Sequence, residues 1–98
     1  MVLQRVIFRT KFGKANEVVA AMKDMMGTIS SENNVQTRIL TDLSGPQFTV
    51  VLETVLESLS EWERNRGELF ARPDFQQSFA RIMPLVESGH TEFYTIEA

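Results

Sequence analysis

VQTRILTDLSGPQFTVVLETV, residues 35–55, holds two runs rich in β-branched and aromatic side chains on either side of LSGP (43–46). Gly45-Pro46 is a turn signal, so 35–42 and 47–55 read as an antiparallel strand pair. Two strands in succession break a strict alternation of helix and strand. That break decides the fold class, because the flanking elements do alternate.

Upstream, VLQRVIFRT (2–10) reads as a strand ending at the turn KFGK. KANEVVAAMKDMMG (14–27) follows, with Ala15, Val18, Val19, Met22, Met25 and Met26 at helical spacing and Gly27 as the expected stop. Downstream, Ser60 stands three residues before Glu63, the capping-box spacing, which places a helix start there. Its apolar stripe is Leu59, Trp62, Leu69 and Phe70, with the stem of Arg66 between. In RPDF the proline disfavours helical geometry at Arg72 and suits a first helical turn, so a further helix is expected from Pro73 or Asp74. Phe75, Phe79, Ile82, Met83 and Val86 continue at helical spacing until Pro84 removes a backbone donor near the end, and HTEFYTIE (90–97) reads as the last strand. The order is a ferredoxin-like βαββαβ: an α+β fold with a four-stranded antiparallel sheet and helices on one face. Residues 1–98 read as one domain.

A sheet covered on one face should alternate apolar and polar residues. Here both parities are apolar. Phe48, Val50 and Leu52 fall on one side, Val51 and Val55 on the other; Val2, Val6 and Phe8 oppose Leu3 and Ile7. If the helices cover Phe8 and Phe48, then Leu3, Ile7, Val51 and Val55 form an apolar patch that needs a cover. A second copy packed sheet to sheet supplies one, so a homodimer is expected, the dimeric α+β barrel. Arg5, Arg9 and Glu53 share that patch, with Arg38 joining them according to register. Enclosed charges imply either Arg–Glu pairing or a polar cavity for an anionic or polar ligand, and pairing is the plainer reading.

Three stretches resemble a known family. ARPDFQQSFARIMPLVESGHTEFYTIE (71–97), with LESLSEWERNRGELF (56–70) before it, looks like the C-terminal half of a NIPSNAP-like domain: an aromatic-containing helix, a "pdF" step, and a "plv" helix end leading into the last strand. FRTKFGKANEVVAAM (8–22) is similar to that family's opening strand, glycine turn and helix. The resemblance implies the dimeric α+β barrel group and the same sheet-to-sheet dimer. That group includes antibiotic-biosynthesis-type monooxygenases, haem-degrading enzymes, muconolactone isomerases and ligand-sensing modules, and fold alone does not choose among them. It supplies no catalytic motif to carry over residue by residue.

Composition narrows the chemistry. A net charge of −3 with scattered Lys and Arg argues against a nucleic-acid partner. The absence of cysteine removes disulfides, thiolate catalysis and Cys-built metal sites. Nothing has the form of a signal peptide or a membrane span, so a cytoplasmic protein without a membrane partner is the default expectation. No metal is expected from a chain with a single histidine and no ligand cluster, and no cofactor is predicted. Haem-degrading relatives hold haem through a histidine near the end of the second half's helix, where this chain reads RIMPLVESG without one. No GxSxG, HExxH, P-loop or dinucleotide motif occurs. Asn33 and Asn34 are ordinary turn residues, the methionines core filler. Trp62 could line a flat pocket but fits core packing better.

Two classes of function remain. In the first, each subunit binds or transforms a small organic molecule in its lumen, by cofactor-independent oxygenation or isomerisation if it is an enzyme. Glu53 is then the candidate base, Tyr94 the proton donor and His90 an acid or base. Arg5, Arg9 and Arg38 are the candidates for binding an anionic group. His90 also reads as a solvated histidine at the last strand's entrance, and Tyr94 joins the arginines only if its parity faces the lumen. In the second, the protein is a non-catalytic dimerisation module whose charges fix sheet register.

Overall fold

The first strand lies inside the sheet and pairs on both sides, because its nine residues carry apolar side chains on both parities. A computed structural model of the chain describes residues 1–33 and 36–98, and side chains for 1–27 and 36–98. The elements are β1 (Val2–Thr10), α1 (Ala15–Asn33), β2 (Gln36–Thr41), β3 (Thr49–Leu56), α2 (Leu59–Phe70), α3 (Pro73–Ile82), a 3-10 turn (Met83–Leu85) and β4 (Val86–Thr95). The sheet is antiparallel in the order β2-β3-β1-β4, the ferredoxin-like topology expected from βαββαβ.

Local chemistry sets the boundaries. The β2–β3 loop closes through the Thr49 N–H donating to Asp42 Oδ1 at 3.0 Å, with Gly45 at φ 89, a backbone state that costs glycine no Cβ clash. Phe48 also has positive φ, at 57, so β3 starts at Thr49 rather than at residue 47. Its ring meets Phe12 edge-on, 4.5 Å between centroids. Gly27 does not stop α1, which runs to Asn33. A helical glycine costs only about 1 kcal/mol relative to alanine, less than the burial of Met22 and Met25 on the same helix returns. Asn34 and Val35 lie outside the described residues.

The start of α2 also departs from the expectation at Ser60. Ser58 is the cap: its hydroxyl accepts the Glu61 N–H at 3.2 Å, while Glu61 Oε2 accepts the Glu57 N–H at 2.9 Å. Pro73 opens α3 as expected, with Arg72 extended before it. β4 begins at Val86, so His90 sits mid-strand opposite Ile7, not at the strand entrance.

Val18, Ala21 and Met22 of α1, Val50 of β3 and Ile82 of α3 form the dry core. Phe8, Val19, Ile39, Leu85 and Val86 pack around it. Each fully buried aliphatic side chain contributes about 1.5–3 kcal/mol. The core is therefore concentrated where α1 and α3 cross the sheet. α2, by contrast, contains no buried residue.

Candidate functional site

Strand pleating sorts the candidate residues onto two faces. Leu3, Arg5, Ile7 and Arg9 of β1 point away from the helices, as do Val51, Glu53 and Val55 of β3, Arg38 and Leu40 of β2, and His90, Glu92 and Tyr94 of β4. In register these residues form rows. One row, crossing all four strands, is Arg38, Glu53, Arg5, Glu92, alternating in charge. Apolar pairs flank it, Leu3 with Val55 and Ile7 with Val51.

Glu53 is buried, with one oxygen hydrogen-bonded and the other facing an arginine as an ion pair. Arg38 Nε donates to Oε1 at 2.6 Å, and Arg5 Nε lies 3.1 Å from Oε2. Glu92 gathers the candidates on β4: the Tyr94 hydroxyl donates to Oε1 at 3.0 Å, and His90 Nε2 stands 3.6 Å from Oε2. Accepting that proton, the Glu92 carboxylate raises the Tyr94 phenol above its ordinary value, with desolvation acting in the same direction. Arg9 is exposed, one register step past Ile7 toward the strand end. The structure thus brings Arg5, Arg38 and Glu53 together, and Tyr94, His90 and Glu92 beside them, on the face without helices.

The concave space is on the other face, and it is partly open to solvent. A cavity of about 500 Å³ lies between the sheet and the three helices. Its walls are largely aromatic. Trp62 packs edge-on to Phe93 at 5.0 Å, and Phe75 stacks with Phe70 at 5.3 Å and with Phe79 at 5.8 Å. Phe70, Phe79 and Phe93 remain 48%, 38% and 37% exposed. Its floor has a polar row: Gln4 of β1 faces Thr54 of β3, which faces Thr37 of β2, the two hydroxyls 3.5 Å apart. At the rim, the Arg66 guanidinium lies 5.3 Å from the ring centroids of both Trp62 and Phe70.

None of Glu53, Tyr94, His90, Arg5, Arg9 and Arg38 lines this cavity. Sequence reasoning gave Gln4 and Thr54 no role, read Arg66 only as an aliphatic stem in a helical stripe, and assigned Trp62 to packing. The signal that could have found them is the polar Gln4 on the parity of Val2, Val6 and Phe8, a face that the helices cover.

The fold of the chain has close structural counterparts. A NIPSNAP domain protein from Burkholderia xenovorans superposes with a TM-score of 0.88 at 25% identity, covering 100% of this chain and 96% of that one. The chain has a NIPSNAP-like fold. A NIPSNAP family protein from Agrobacterium tumefaciens matches the same NIPSNAP-like chain with a TM-score of 0.83 at 21% identity, over 96% of this chain and 90% of that one. A protein from Nitrosomonas europaea, provisionally named an antibiotic biosynthesis monooxygenase, covers 100% of both chains with a TM-score of 0.79 at 13% identity, which speaks for fold alone. No protein-family model and no curated protein matches the sequence. No helix among the described residues of the NIPSNAP-like domain is long and apolar enough to cross a membrane.

Proposed function

We propose that this NIPSNAP-like protein binds a small organic molecule with a flat apolar body in the cavity between sheet and helices, and does so as a homodimer joined through the open sheet faces. The observation that carries the reading is the cavity itself. Its volume lies in the range of small-molecule sites, about 300–1,000 Å³, and its apolar wall with a few convergent polar groups has their usual composition. Aromatic rings that stay partly exposed around an internal space leave apolar surface for a ligand to cover.

Among the described lining residues, Arg66 is the one ionisable side chain. The walls therefore offer positioning and hydrogen bonds, not a paired acid and base. Any turnover in such a site draws on reactivity already present in the ligand, as cofactor-independent oxygenation or isomerisation does. The charge row on the open face serves the second half of the proposal: Glu53 with both oxygens engaged is a register device between apolar strips. On this reading Glu53, Tyr94, His90, Arg5, Arg9 and Arg38 belong to assembly.

Trp62 is the sole tryptophan and lines the cavity, so its fluorescence reports occupancy directly. Titration with a panel of aromatic alcohols, amides and carboxylates, alongside flavin and haem, should give saturable changes in Trp62 emission with a matching rise in melting temperature. A panel without a single saturable response would leave only the dimerisation module.

A further inference from the structure

The described lining of the cavity holds one charge and no counter-charge. Arg66 has no ion pair among the described residues, and no aspartate or glutamate lines the space. Its guanidinium is nonetheless held in place, lying near two rings that are themselves walls of the cavity. A cation held over aromatic faces keeps its in-plane N–H donors free, and a guanidinium offers them as a fork that matches a carboxylate. The opposite boundary is the sheet floor, where Gln4, Thr54 and Thr37 present neutral donors and acceptors. Among the described residues the Gln4 amide has no hydrogen-bond partner, although the side chain is half-buried.

Resting on the binding reading above, we infer that the ligand is a planar aromatic monocarboxylate whose carboxylate is received by Arg66 at the rim and whose far edge carries a neutral hydroxyl or carbonyl read by Gln4 and Thr54. An amine is disfavoured, since it would meet Arg66 without any neutralising carboxylate. A dianion is disfavoured too, because its second charge would meet only the neutral Gln4, Thr54 and Thr37 at the sheet floor. The body between the two ends is aromatic because Trp62, Phe93, Phe75 and Phe79 offer faces and edges at ring-packing distances.

The test uses three probes of one shape: 2-naphthoate, 2-naphthamide and 2-naphthylmethylammonium, measured by equilibrium dialysis and thermal shift. The wild type should bind the anion about ten-fold or more tightly than the amide, the size of one charge-assisted hydrogen-bonded pair, and the ammonium weakest. In Arg66→Gln the anion's advantage over the amide should fall to about two-fold or less, with an unchanged urea midpoint showing that the fold is intact. Arg66→Lys should keep part of the preference, the charge remaining without the fork. With 6-hydroxy-2-naphthoate, Gln4→Leu should remove the gain conferred by the added hydroxyl and leave 2-naphthoate binding as it was. Equal affinity for all three probes, or an anion preference that survives Arg66→Gln, overturns the carboxylate assignment while the binding reading stands. Failure of all three probes, together with a silent wider panel, removes both. Hits in that panel confined to neutral or cationic compounds overturn the assignment alone.

Discussion

Glu53 is the residue on which the open face turns. Its side chain is 7% exposed, whereas those of Arg5 and Arg38 are 35% and 71% exposed, so the carboxylate is desolvated and the guanidiniums reach it from water. Partial solvation of the arginines reduces the value of the cluster below that of a fully buried pair. Glu53→Gln should accordingly lower stability by about 1–2 kcal/mol, the range of a lost hydrogen bond to a charged group, as measured by urea unfolding. An unchanged midpoint would show that the row is worth no more than a surface ion pair. At the neighbouring row Tyr94, the sole tyrosine, allows a direct titration. Its folded value is raised above 10.0, first by the Glu92 hydrogen bond, so the stability linked to it is present below pH 10 and lost as pH rises through the folded value. Phenolate absorbance should give a midpoint above 10 in the native protein and one closer to 10 in Glu92→Gln. Equal midpoints in the two would mean that Glu92 does not hold the Tyr94 hydroxyl in solution.

At the scale of elements, β4 and α2 are each fixed by one small residue. A Cβ added at Gly89 would lie 3.0 Å from the Phe8 ring, and Phe8 packs on the dry core, so the ring cannot withdraw freely. Gly89→Ala should therefore destabilise by about 1–3 kcal/mol through overpacking, although alanine alone favours a strand more than glycine does. A stabilised variant would show that Phe8 has room to turn. Ser58→Ala should cost α2 about 1 kcal/mol by leaving the Glu61 N–H without its acceptor, and Ser60→Ala much less. Comparing the two by urea unfolding identifies the true cap. The capping signal is ambiguous in sequence because S-x-x-E occurs twice, at Ser58–Glu61 and Ser60–Glu63, and the choice is made by where β3 releases the chain after Leu56. The two parities of β1 and β3 were legible, since they follow from pleating alone, and so was the α3 start at Pro73, since it follows from the proline ring; which side of β4 shares the face of Arg5 was not, because it depends on the register with β1. The cavity was not. A stripe of Trp62, Leu69 and Phe70 has the same spacing whether the space beneath it is filled or empty, and the distance between layers is set by side chains that no single segment contains.

At the scale of the whole molecule, one face of the sheet is covered by helices and the other is not. Four strands spaced about 4.8 Å apart, each roughly 30 Å long at most, give the open face a projected area on the order of 500 Å². Side-chain relief brings this toward the roughly 800 Å² that each partner contributes to a stable interface. Ile7 lies near its centre, paired in register with Val51 on one side and His90 on the other. In a two-fold assembly each copy offers the same apolar strips and the same alternating charge row, so one substitution acts twice. Sedimentation of the wild type at tens of micromolar should give twice the 11.2 kDa chain mass. Ile7→Asp should give the single-chain mass with its far-UV circular dichroism retained, because the aspartate faces away from the dry core and harms only what packs against the open face. A monomeric wild type would remove the sheet-to-sheet dimer. A dimeric Ile7→Asp would move the interface elsewhere, and the charge row would then be a feature of a solvated sheet.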